Sequence, residues 1–130
     1  MNVRDAMSTN VLVIGPHHTL REACALMAGR RVGAAVVQDP ELDGVGIVTE
    51  RDVLMSIGAG QDPDKERAEQ HLTSDLVFAQ PDWTLEQAAE AMVRGRFRHL
   101  VVLQGSEVAG ILSVRDIVRN WTVQPAESRG

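Results

Sequence analysis

Gly46-Ile47-Val48-Thr49-Glu50-Arg51-Asp52-Val53 and Gly110-Ile111-Leu112-Ser113-Val114-Arg115-Asp116-Ile117 are two versions of one phrase. In each, a glycine opens an apolar run, a hydroxyl residue follows, and an aspartate stands three residues after the hydroxyl. The apolar run reads as the end of a strand. The hydroxyl and the aspartate read as the cap and capping partner of the helix that follows. Working outward, the likeness covers most of the chain. Residues 7–38 face residues 72–103 without a gap, each against the one 65 positions later. Pro16, Thr19, Leu20, Ala23, Met27, Arg31, Val36 and Val37 meet Pro81, Thr84, Leu85, Ala88, Met92, Arg96, Val101 and Val102. The chain is a duplication, and a repeat of half its length predicts two copies about a pseudo-twofold axis rather than a solenoid.

Each copy reads strand-helix-strand-strand-helix. The first strand is expected over residues 11–14 and 76–79. A Pro-containing turn leads to Thr19 or Thr84 as N-cap. Apolar residues at Leu20, Ala23, Cys24 and Met27, and at Leu85, Ala88, Ala89 and Met92, form one buried helical stripe. Arg30, Arg31, Arg94 and Arg96 fall at the helix ends, where cations suit the dipole. A hairpin follows, over 32–37 and 45–48 in copy one and 97–103 and 108–112 in copy two. Its turn in copy one is residues 39–44. The expected fold is α+β, two small sheets packed together with helices outside. The division is residues 1–60 for repeat 1, 61–72 for a linker and short helix, 73–122 for repeat 2 and 123–130 for a flexible tail.

The composition bounds the function. The 130 residues are 44% hydrophobic and 24% charged, which is ordinary for a globular protein. Aromatics are only 3%, so the stacking platforms of single-strand nucleic-acid binders are scarce. A net charge of -5 excludes a globally basic surface for nucleic acid or anionic membrane. No apolar run approaches bilayer length and the N-terminus carries no leader pattern, so a cytoplasmic protein without a membrane partner is expected. Cys24, the single cysteine, excludes an intrachain disulfide and reads as a small core residue. His17 and His18 diverge in an extended turn, and no helical His-x-x-x-His pair offers a metal site. No nucleophile elbow, Walker loop or paired carboxylates point to catalysis.

The closing motifs admit two readings. In one, Thr49 with Asp52 and Ser113 with Asp116 only cap their helices. In the other, the same helix starts receive a phosphate, the hydroxyl adds a donor, and the aspartate accepts from vicinal ribose hydroxyls. The glycine lets a ligand or the partner copy approach the backbone. The readings are compatible. In the basic run Arg94-Gly95-Arg96-Phe97-Arg98-His99, Arg96 and Arg98 are expected on one side of an extended strand.

The duplicated unit, closed each time by Gly-hydrophobic-x-Thr/Ser-x-x-Asp, resembles a tandem pair of CBS (cystathionine-beta-synthase) domains, a Bateman module. The resemblance runs from about Val3 to Trp121. It implies sheet-to-sheet packing with two clefts that take adenosine-containing ligands: AMP, ADP, ATP, S-adenosylmethionine or NADH. It implies a first cleft with Asp116 on the ribose, Ser113 on the phosphate and Ile111 on the base. Val11, Val32 and Gly33 supply adenine contacts there, and Arg98 and His99 phosphate contacts. The second cleft uses Asp52, Thr49, Ile47, Leu76 and Phe97. Arg115 at the first cleft and Arg51 at the second either add charge or are simply solvated. Gly33-Ala34 takes the place of Arg98-His99 in the second cleft, which therefore ranks below the first. The function so implied is non-catalytic regulation and energy sensing. It requires no cofactor, uses an adenine nucleotide as regulatory ligand, and is exerted by a homodimer on a separate protein target through a change in repeat or dimer geometry. The alternatives are a ligand-free dimerisation scaffold and, more weakly, a small nucleotide-processing enzyme.

Overall fold

The computed structural model describes residues 1–39, 41 and 44–122. Pro40, Leu42 and Asp43 of the first hairpin turn, and the tail 123–130, lie outside the described residues. Six helices and two three-stranded sheets are present among the described residues, in the duplicated α+β order read from the sequence.

In the first sheet, β1 (Val13–Ile14) runs parallel to β2 (Ala34–Gln38), which pairs antiparallel with β3 (Val45–Thr49). In the second, β4 (Phe78–Ala79), β5 (His99–Gln104) and β6 (Glu107–Ser113) repeat that order. The opening strands are shorter than expected, two residues each. Both end where expected, and the shortfall lies at their starts, residues 11–12 and 76–77. Ahead of β1 the Arg30 guanidinium takes the Val11 carbonyl at 3.2 Å.

The helices α2 (Leu20–Arg30) and α5 (Leu85–Gly95) start on reciprocal capping boxes. The Thr19 N–H donates to the Glu22 carboxylate at 3.0 Å, and the Glu22 N–H donates to the Thr19 hydroxyl at 3.1 Å. Thr84 and Gln87 do the same at 2.8 and 3.1 Å. Both helices end on an arginine in the left-handed region, Arg31 at φ 57° and Arg96 at φ 58°. The next N–H groups, of Val32 and Phe97, reach back to the Met27 and Met92 carbonyls at 3.0 Å and close the helix ends. Arg96 is therefore a helix cap and does not share a strand face with Arg98, as the sequence had suggested. Gly95 permits this fold-back: a Cβ there would sit 2.1 Å from the Phe97 ring.

Cys24 is exposed, against the expectation of a core position. The buried stripe of α2 is Leu20, Ala23 and Met27, and position 24 turns off its edge. Its counterpart Ala89 is half-buried.

Two compact units emerge, and the chain exchanges segments between them. The first-repeat unit is Asn10–Leu76; the second-repeat unit joins residues 1–9 to the chain from Val77 onward. The short helix α1 (Val3–Ala6) docks on the start of α5, with Val3 N–H to Trp83 O at 2.8 Å and Arg4 N–H to Pro81 O at 3.0 Å. Ser8 then pairs with Ile111 of β6. The short helix α4 (Ala68–His71) docks on the first-repeat unit in the same way, through Ala68 N–H to His18 O at 2.8 Å and Glu69 N–H to Pro16 O at 3.0 Å. Thr73 pairs there with Ile47 of β3. Val3 and Ala68 are both fully buried, so each strap is part of a core. Among the described residues no helix is long and apolar enough to cross a membrane.

The Glu22 carboxyl is held below the ordinary carboxylate range by the Thr19 N–H and then the Thr19 hydroxyl. A carboxyl depressed in the folded state contributes stability above its unfolded pKa of about 4.3, lost as pH falls through the lower folded value. The Tm advantage of the native chain over Glu22→Gln is expected at neutral pH and should shrink on acidification below about pH 4, as read by melting curves.

Candidate functional site

Each unit has one corner where its last strand turns into its last helix. In the second-repeat unit β6 ends at Ser113 and α6 (Val114–Thr122) begins. The Ser113 N–H donates to Asp116 Oδ2 at 2.8 Å, and the Asp116 N–H donates to Ser113 Oγ at 3.1 Å. In the first-repeat unit Thr49 precedes α3 (Glu50–Gly58). There the Thr49 N–H and hydroxyl both donate to Asp52 Oδ2, at 2.8 and 3.1 Å, and the Asp52 N–H returns to Thr49 Oγ1 at 3.3 Å. The capping reading is thus correct for both motifs. It occupies only one oxygen of each half-buried carboxylate; among the described residues Oδ1 of Asp52 and of Asp116 takes no hydrogen bond.

The surroundings differ in charge. Arg98 is exposed, its carbonyl accepts from the Val114 N–H at 3.0 Å, and His99 pairs with Ser113 across the sheet, so both lie beside the Ser113–Asp116 corner. Ile111 is buried, two residues ahead on β6, and Arg115 is exposed. At the equivalent position of the first-repeat unit Gly33 accepts from the Glu50 N–H at 2.9 Å. A Cβ on Gly33 would lie 3.0 to 3.2 Å from the Glu50 carboxylate. An acid therefore stands at the Thr49–Asp52 corner where the other corner presents a guanidinium. The sequence shows that Gly33 has no charge but not that Glu50 folds over it.

The remaining expected site residues divide between the units. Val11, Val32 and Leu76 are half-buried in the first-repeat unit, with exposed Arg51 and buried Ile47. Phe97 belongs to the second-repeat unit, where it packs against the core at the end of α5. Of the histidines, His71 Nε2 lies 2.8 Å from Glu66 Oε1 and His17 Nδ1 lies 3.6 Å from Glu69 Oε2. No group of three metal-binding side chains occurs among the described residues.

This duplicated architecture, closed twice by the same hydroxyl-x-x-aspartate corner, is that of a CBS-domain pair. The family model for the CBS domain matches the chain twice, over residues 3–59 and 68–122, and the chain belongs to that family. The CBS domain-containing protein YhcV of Bacillus subtilis is 29% identical over 92% of this chain and 84% of its own. The hexameric CBS-CP12 protein from bloom-forming cyanobacteria superposes with a TM-score of 0.88 at 29% identity, covering 96% of this chain and 75% of that one. The CBS-domain pair of MJ0100, solved with 5'-methylthioadenosine and S-adenosyl-L-methionine, shares the fold with a TM-score of 0.82 at 20% identity, over 94% of this chain and 96% of that one. CBS-domain proteins of this kind are generally regulatory and non-catalytic.

Proposed function

We propose that this chain is a non-catalytic sensor of an adenosine-containing small molecule, held at the Ser113–Asp116 corner. The observation that carries the reading is the division of labour in the Asp116 carboxylate. Oδ2 secures the helix start and Oδ1 is left to accept from a ribose hydroxyl. Ser113 Oγ and the first N–H groups of α6 suit a phosphate or another polar 5' group. Arg98 and His99 add the donors that hold a phosphate, and Ile111 faces the base. The Asp52 corner, with Thr49 and Ile47, is the weaker site, because the Glu50 carboxylate repels an anion there. That MJ0100 was solved with adenosine compounds supports the ligand class.

The ligand acts by preferring one conformation of the module and shifts the equilibrium only by that preference. The output reaches a separate protein in the cytoplasm through a homodimer. Dimerisation is supported by the apolar residues that α3 and α6 leave exposed: Leu54 at 68%, Met55 at 62%, Val118 at 54% and Trp121 at 46%. The hexameric cyanobacterial relative shows that a protein of this architecture assembles.

A thermal-shift panel of AMP, ADP, ATP, S-adenosylmethionine and NADH tests the proposal. At 100 times its Kd, a true ligand stabilises the fold by about 2.7 kcal/mol, several degrees in a domain of this size. A flat response to every compound overturns it and leaves the ligand-free scaffold.

A further inference from the structure

A hollow lies at the far end of the β5–β6 hairpin from Ser113, wholly within the second-repeat unit. It is open to solvent, with a volume of about 510 Å³. Its lining is mixed: Met7, Phe78, Ala79 and Leu103 are apolar, Gln80 and Gln104 are polar, and Arg4 and Asp82 bring opposite charges to it. Both charged side chains are exposed, and among the described residues neither forms a side-chain hydrogen bond or ion pair.

The sister unit provides an internal control. Arg4 and Glu69 are equivalent, since both donate their N–H to a proline carbonyl, of Pro81 and Pro16, at 3.0 Å. Asp82 and His17 each follow that proline. The duplicated frame thus carries an acid and a base in both copies, with the order of the two reversed. In the first-repeat unit the two partners meet, His17 Nδ1 lying 3.6 Å from Glu69 Oε2. In the second no such ion pair forms among the described residues, and both side chains line an open hollow of mixed polar and apolar character.

We propose that this hollow is a separate ligand site for a free α-amino acid with an apolar side chain. Arg4 takes the carboxylate through its forked N–H groups. Asp82 accepts from the ammonium, and the side chain lies on Met7, Phe78 and Leu103. The complementarity requires both charges in one ligand. A simple carboxylate leaves Asp82 facing an anion, a simple amine leaves Arg4 facing a cation, and a nucleotide brings excess negative charge against Asp82.

Calorimetric titration of the full chain with L-leucine, L-methionine and L-phenylalanine is the test. Leucinamide lacks the carboxylate and 4-methylpentanoate lacks the amine, so they are the paired controls. At least one amino acid should bind saturably, with each matched control weakened about tenfold or more, the loss of one charged hydrogen bond. Arg4→Gln and Asp82→Asn should each weaken binding to a similar extent with Tm unchanged, since both side chains are exposed and unpartnered. Asp116→Asn should retain amino-acid binding, which separates this site from the adenosine corner. No saturable binding by any of the three, equal binding by leucine and leucinamide, or full affinity in both variants overturns the proposal.

Discussion

Asp116→Asn is expected to weaken adenosine-ligand binding by about a hundredfold while lowering stability by only about 0.5–1 kcal/mol. The two effects separate because the two oxygens do different work. In the variant, the single amide oxygen still accepts from the Ser113 N–H, so the cap largely survives. The amide NH₂ then occupies the place of Oδ1 and presents donors to the ribose hydroxyls in place of an acceptor. Each charge-assisted hydrogen bond lost is worth about 1.5–3 kcal/mol, or roughly tenfold to a hundredfold in Kd. Thermal melts without ligand measure the cap, and calorimetric titration measures the ribose contact. Asp52→Asn should leave the stronger binding event intact, because Glu50 already disfavours an anionic ligand at that corner. Undiminished binding by Asp116→Asn would place the ligand elsewhere.

Leu100→Ala should cost about 2–5 kcal/mol, as expected for truncating a fully buried leucine. Leu100 is 1% exposed and shares the second-repeat core with Ala79, Val102, Leu112 and Ile117. The duplication shows how this volume can be rearranged. Where β5 carries Leu100 and β4 carries Ala79, the first sheet carries Ala35 on β2 and Ile14 on β1, all four buried. The large side chain has moved from one strand to its neighbour while each core stays filled. Adding Ala79→Ile to Leu100→Ala should therefore recover part of the loss, whereas Ala79→Ile alone overpacks and costs about 1–3 kcal/mol. Chemical denaturation of the three variants measures the coupling. A strictly additive double variant would show that the two positions do not share one space.

The repeat and the closing motifs were legible because both rest on local chemistry. A Thr or Ser followed three residues later by Asp, Glu or Gln makes the same capping box wherever it occurs, and Thr19, Thr49, Thr84 and Ser113 all begin helices. Less local properties escaped. Cys24 lies at an apolar spacing yet faces outward, because Leu20, Ala23 and Met27 already complete the buried stripe. Arg96 resembles a strand residue until Gly95 lets Phe97 turn across the helix end. The corner at Asp116 was readable residue by residue, but the reach of Glu50 over Gly33 depends on a side-chain path that spacing does not encode. The opposed charges of Arg4 and Asp82 are 78 positions apart in sequence, and only the docking of α1 brings them to one cavity.

That docking has a consequence during synthesis. Residues 1–9 are made well before their hydrogen-bonding partners at Pro81, Trp83 and Ile111. The stretch 10–76 carries its own strap, whereas residues 1–9 lack these partners until the later segment has been made. A bulky fusion joined ahead of Met1 should therefore disturb the late-born half of the molecule, and a fragment starting after Thr9 should keep a sound early half beside a crippled late one.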